Sequence, residues 1–222
     1  MSRSSVAALC AAAAIAVSGT ARAAPEDAGA AAHPALTLHP PVWRGPASAV
    51  LSMGWDAGGE ELFRVGLSDG STQRLDANSG FWMQGGLAFA KVGLGPVGLE
   101  TTATFGFKYK RIGVDDDGIR YLAFPLEVTE RASLGALRLG VGVSLALGPS
   151  LATQGILMNK GYDVELQNSL GLLFELDFIS IRARRDQGWL VGVRYHWQQL
   201  ASKELRIPVD ANAFGLVLGL EL

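Results

Sequence analysis

The sequence holds one cysteine in 222 residues, Cys10, and it falls in an apolar N-terminal stretch. If that stretch is a cleaved leader, the mature chain has no thiol, which excludes a disulfide framework and a cysteine metal site. Long apolar runs are also missing. Beyond the leader, nothing approaches the roughly 18 residues that a transmembrane helix needs. Charge is sparse, with 18% charged against 49% hydrophobic residues. The 19 basic residues do not outnumber the 21 acidic ones, so the electrostatic footprint of a nucleic-acid binder is absent. Histidine is limited to His33, His39 and His196, which leaves little material for metal or general-base chemistry.

What is present begins with the leader. "MSRSS" supplies a positive start at Arg3, "VAALCAAAAIAV" is apolar but short, and Ala21-x-Ala23 is a small-residue cleavage pattern. Residues 1–23 are therefore expected to be a secretory signal peptide. A lipoprotein signal at Cys10 fails, because Leu9 stands where a small residue is required. Cleavage removes Arg3 and Arg22 and lowers the basic count from 19 to 17, leaving a mildly acidic chain. Residues 24–46 are rich in Ala and Pro without a sustained period and read as a flexible periplasmic lead-in.

From residue 47 onward the dominant signal is period two, the mark of strands with unlike faces. "ALRLGVGVSLAL" is the clearest case, with Leu137, Leu139, Val141, Val143, Leu145 and Leu147 against Arg138, Gly140, Gly142, Ser144 and Ala146. The same alternation recurs around Met53, Met83, Phe105, Leu126, Phe174, Val191 and Leu218, giving eight segments of about ten residues. That is the length an antiparallel strand needs to cross a bilayer. Within these spans the apolar face carries no Asp, Glu, Lys or Arg. A lipid-facing charge at the midplane costs about 2–4 kcal/mol, which explains such a pattern. Glycines cluster on the polar face, where they would weaken a solvated strand but let a narrow barrel interior close. The soluble alternative, with the apolar face inward, gives no reason for those glycines.

The fold class expected is all-β: an eight-stranded antiparallel transmembrane up-and-down β-barrel over residues 47–222. Inward turns are expected at 91–96, 130–134 and 179–187, and long outward connections at 58–79, 148–167 and 199–210. Segment 60–76 reads as a hairpin turning at Asp69-Gly70, an extension of strands one and two on the outer side.

The leader, the eight alternating strands, the aromatic residues near strand ends (Trp55, Phe81, Phe89, Tyr109, Phe178, Trp189, Trp197) and the closing "FGLVLGLEL" together resemble the small bacterial outer-membrane barrels. That group includes the OmpA membrane domain, OmpX and OmpW. The resemblance covers residues 48–222 and implies residence in the bacterial outer membrane among lipid and lipopolysaccharide. It also implies delivery by the barrel-assembly machinery through the last strand. There the group ideally ends in Phe or Trp, and this chain ends in Leu222.

Candidate chemistry lies on the inward face. A lumenal charge network is expected from Glu100, Glu127, Arg138, Glu175, Asp177, Arg194 and Glu221. Strand direction puts the five carboxylates low, around Arg138, with Lys108, Arg194 and His196 further out. Across the turn at 130–134, Glu127 and Arg138 are expected to be neighbours. Buried charges must be paired, so the network is read as filling the lumen. A structural or surface-interacting monomer is thus expected, with a narrow channel for small or hydrophobic solutes as the alternative. A lipid A-modifying enzyme would need a serine matched to His196 near the outer rim. The lipid A deacylase type has that serine two positions later, where this chain has Gln198. No catalytic or cofactor residues are assigned. The loop aspartates Asp115, Asp116 and Asp117 are read as solvated and not as a metal site.

Overall fold

The computed structural model describes residues 47–66, 70–94, 96–114, 117–154, 163–181, 188–203 and 208–222. The leader and the lead-in expected at 1–46, and the loop aspartates Asp115 and Asp116, lie outside these residues. The strands are β1 (Ala47–Gly58), β2 (Glu61–Gly66), β3 (Thr72–Asp76), β4 (Gly80–Leu94), β5 (Val97–Val114), β6 (Asp117–Leu134), β7 (Leu137–Gln154), β8 (Val164–Glu165), β9 (Ser169–Ile181), β10 (Gly188–Trp197), β11 (Gln199–Ala201), β12 (Pro208–Asp210) and β13 (Ala213–Glu221).

Eight of them, β1, β4, β5, β6, β7, β9, β10 and β13, pair antiparallel with their neighbours in chain order. The ring closes where β1 pairs with β13, from Val50↔Glu221 to Gly58↔Ala213. This is an up-and-down barrel with no free sheet edge. The hairpin expected at 60–76 exists as β2 and β3, which form a sheet of their own, so the barrel has eight strands and not ten.

Side chains sort as the alternation requires. Leu139, Val141 and Val143 are 56%, 52% and 41% exposed on the outer face, while Arg138 and Ser144, which flank them, are buried. The outer face of every barrel strand carries a band of this kind: Leu51, Met53, Leu87, Phe105, Leu126, Leu176, Val191 and Leu218 are all exposed. A soluble protein buries such residues, and a lipid-facing barrel presents them. The protein is a transmembrane β-barrel.

Two departures from the expected layout matter for the interior. First, the inward turn between β6 and β7 is the two-residue loop Gly135-Ala136, closed by the pair Leu134↔Leu137. Gly135 has φ +59°, the left-handed value that the first central position of such a hairpin loop takes and that glycine supplies without strain. With the turn three residues further on than 130–134, the register moves. Glu127 faces Ser144, Arg138 faces Ser133, and Glu127 and Arg138 are not neighbours. Second, β4 runs to Leu94, well into the span 91–96 expected as a turn. A bulge between Phe89 and Val92, with Ala90 at φ +51°, switches its parity, so Lys91 points inward while Val92 and Leu94 stay outside.

Strands β5, β6 and β7 are each 18 residues long, nearly twice what the membrane requires. Their outward halves stand above the apolar band, and there the interior changes character. Ile112, Ile119, Tyr121, Ala123 and Leu151 turn inward and pack with Leu75 of β3, Ala77 just after it, Leu166, Leu200 of β11 and Ala211. Leu62, Phe63, Val65, Val164 and Val209 join the periphery of this cluster. Backbone bonds tie the pieces together, from Glu60 N to Asp210 O (2.7 Å), Gln167 N to Ala201 O (2.7 Å) and Ala211 N to Gln198 O (2.9 Å). The hairpins β2–β3 and β11–β12 thus fold into an apolar cap over the outer mouth.

Candidate functional site: the lumenal charge network

Below the cap the lumen is filled by two clusters of charged side chains. The inner cluster centres on Arg138 of β7, which is 1% exposed. Its Nη1 donates to Glu100 Oε1 at 2.9 Å and to Glu221 Oε2 at 3.3 Å, and its Nε and Nη2 reach Asp177 Oδ2 at 3.4 Å. Beside it, Arg131 donates twice to Glu175 Oε2, at 2.9 and 2.7 Å, and once to Thr102 Oγ1 at 3.0 Å. The redirected Lys91 donates to Glu221 Oε1 and Ser48 Oγ, both at 2.7 Å, and Ser48 Oγ itself donates to Glu221 Oε1 at 2.6 Å.

The outer cluster centres on Asp56 of β1, which has no exposed surface. Arg194 grips it with two parallel bonds, Nε to Oδ1 at 2.9 Å and Nη2 to Oδ2 at 2.7 Å, the bidentate geometry that makes guanidinium–carboxylate pairs strong. Trp82 Nε1 donates to Asp56 Oδ1 at 3.1 Å, and Lys108 Nζ is ion-paired with Oδ2. The guanidinium of Arg194 stacks 3.5 Å from the centre of the Trp82 ring. Lys108 also donates to Asn78 O and Oδ1, at 2.7 and 2.5 Å. Asn78 takes φ +60°, which Asn tolerates better than most residues, and its Nδ2 donates to Ala211 O in the cap. Glu127 accepts from Gln84 Nε2 at 2.9 Å and Ser144 Oγ at 3.2 Å.

Glycine makes this filling possible. A Cβ at Gly215 would lie 1.9 Å from Asp56 Oδ1, and one at Gly192 would lie 2.0 Å from Asp177 Oδ1. The acids occupy the volume that the facing glycines leave empty.

All seven residues expected in the lumen are buried inside the barrel. Their grouping differs from the expected one. Glu100, Glu175, Asp177 and Glu221 gather at the inner end with Arg138. Glu127 instead sits with Arg194 in the outer cluster, because the register follows the Gly135-Ala136 turn. Sequence reasoning left out Asp56, Arg131 and Lys91. Asp56 stood on the polar face of strand one but was not counted in the network. Arg131 was hidden by the misplaced turn and Lys91 by the bulge. The "LGAL" at 134–137 was the available signal for the turn, while nothing local in "FAKVGL" announces the bulge. His196, expected near the outer rim, is 2% exposed beneath the cap. Among the described residues no group of three or more His, Cys, Asp or Glu has metal-site geometry.

No protein-family model and no curated protein matches the chain. Solved structures give fold-level likenesses. Neisserial surface protein A (NspA) is 12% identical with a TM-score of 0.42, covering 80% of this chain and 97% of that one. The outer membrane protein AlkL is 14% identical with a TM-score of 0.38, covering 90% and 94%. Ail, the attachment invasion locus protein of Yersinia pestis, is 10% identical with a TM-score of 0.39, covering 80% and 100%. The architecture of this chain rests on its own strand pairing.

Proposed function

We propose that this chain is a bacterial outer-membrane protein with a closed interior, serving a structural or surface-interacting role and not solute passage. The observation that carries this reading is the lumen itself. Charges of both signs interlock across the bore in two clusters, and an apolar cap covers the outer mouth. An ion entering would have to displace buried, hydrogen-bonded pairs, and breaking such a pair costs about 3–5 kcal/mol. An eight-stranded barrel has little room around them.

The environment is outer-membrane lipid and lipopolysaccharide, met by the apolar band. The chain acts as a monomer, since β1 and β13 satisfy each other, and its last strand is the segment read by the barrel-assembly machinery. What faces outward is the cap, built from β2–β3 and β11–β12, and this is the surface offered to partners. An enzymatic role at the rim is disfavoured by the burial of His196, which no lipid acyl group can reach there.

The test is conductance of the purified protein in a planar bilayer, after a gel shift between unboiled and boiled samples has shown a folded barrel. The expected result is no stable open level. A steady ohmic pore in the wild-type protein, altered by Arg138→Ala, would overturn the closed reading in favour of a channel.

A further inference from the structure

Between the outer cluster and the cap lies a small cavity of about 10 Å³, the least space in which a single water molecule fits. Its walls include Glu127, Ser144, Arg194, His196, Lys108 and Asn78. Arg194 Nη1 and both ring nitrogens of His196 are buried without a hydrogen-bond partner. Two contacts to Glu127 nearly close but do not. Arg194 Nη1 stands 3.6 Å from Oε2 and His196 Nε2 stands 3.8 Å from Oε1, both beyond hydrogen-bond distance.

Orphaned polar atoms at gaps of this size, beside a water-sized space, are where an internal water belongs. Charge decides what kind of occupant fits. The outer cluster holds two carboxylates, Asp56 and Glu127, against two cations, Lys108 and Arg194, so it is balanced with a neutral imidazole and calls for no ion. The walls offer a donor at Arg194 Nη1, an acceptor at Glu127 and an imidazole edge at His196. One small molecule that both donates and accepts satisfies them. We infer that a single structural water occupies this cavity, accepting from Arg194 Nη1 and bridging to Glu127 and His196. It completes the hydrogen bonding of the lumen where the ionic filling meets the apolar cap. His196 is then a positioning residue that holds the water.

Two experiments test the inference, which depends on the lumenal geometry and not on whether the barrel conducts. The first is a crystal structure of the detergent-solubilised protein at a resolution that shows ordered solvent. A peak within about 3.2 Å of Arg194 Nη1 is expected. An empty cavity, or direct contact of Arg194 Nη1 and His196 Nε2 with Glu127, would overturn it. The second uses Ala146, which is buried and lines the cavity. Ala146→Val and Ala146→Thr fill the space with side chains of the same shape, so any overpacking is common to both. If the site is wet, Thr supplies a hydroxyl in place of the water, and its urea midpoint lies above that of Val. If the cavity is dry, Val lies above Thr and the inference fails. Should neither variant refold, the crystallographic result decides alone.

Discussion

The midsection and the cap of this barrel obey opposite rules along the same strands. On β6, Arg131, Thr129 and Glu127 point inward at the level where the outer face carries Val128 and Leu126. One to two turns of the pleat further out, the inward residues are Ala123, Tyr121 and Ile119, and the outer face carries Arg120. The polar side of the strand changes over from inside to outside as the surroundings change from lipid to water. The two regions also differ in what holds them. The midsection depends on a few specific pairs, each costly to break, whereas the cap depends on many interchangeable apolar contacts.

The comparison is broken most severely at Asp56. Asp56→Ala leaves Arg194 and Lys108 buried without their shared carboxylate, and we expect a loss of about 3–5 kcal/mol in urea unfolding monitored by gel shift. A loss below 1 kcal/mol would mean that the outer cluster contributes packing and little electrostatics. Next comes the cap. Leu75 has no exposed surface, and Leu75→Ala is expected to cost about 2–5 kcal/mol by leaving a cavity. The loss should fall on the cap, so protease sensitivity near β2–β3 should rise while the heat-dependent gel shift of the barrel stays. Coincident loss of both would show one cooperative unit in place of two regions.

A smaller effect is expected at the inner rim. Lys91→Met deprives Glu221 of a donor but leaves it Ser48 and Arg138, so about 1–3 kcal/mol is expected from the same unfolding measurement. The smallest effect is on the exposed edge of the cap. Hydrogen bonds from Arg64 hold the Glu61 carboxyl below its ordinary value, and Lys203 does the same for Glu165. A depressed folded-state value means that the contribution is complete above the ordinary carboxylate range and is lost as pH falls through the lowered values. Acidification below about pH 4 should therefore loosen the cap edge slightly, read as faster amide exchange in β2 and β8. Since both pairs lie at the surface of the cap, high salt should weaken the effect.

Much of this molecule was legible in the sequence because a bilayer enforces period two so strictly. Leu139, Val141 and Val143 could face only lipid once Arg138 and Ser144 faced inward, and all eight strands followed from the same reasoning. Positions along the strands were harder to read. Alternation fixes the face on which Glu127 lies but not its height, which is set by the turn. A three-residue error at Gly135-Ala136 was enough to give Glu127 the wrong partner. The inversion at the cap was not legible, although the hairpin at 60–76 was. That its Leu75 would meet Ile119 and Leu200 depended on long-range packing that no local period encodes.

The meeting of β1 and β13 has an entropic consequence. Ala49 and Leu222 exchange two backbone hydrogen bonds, at 3.1 and 2.9 Å, and Glu221 gathers Ser48, Lys91 and Arg138 at the same seam. The seam joins residues near opposite ends of the described chain, so of all the pairings in the barrel it closes the largest loop. A chain cut short before β13 would present β1 as an open edge. The carboxylate at 221 ties β1, β4 and β7 to the last strand, so one side chain helps to offset the entropy of that closure.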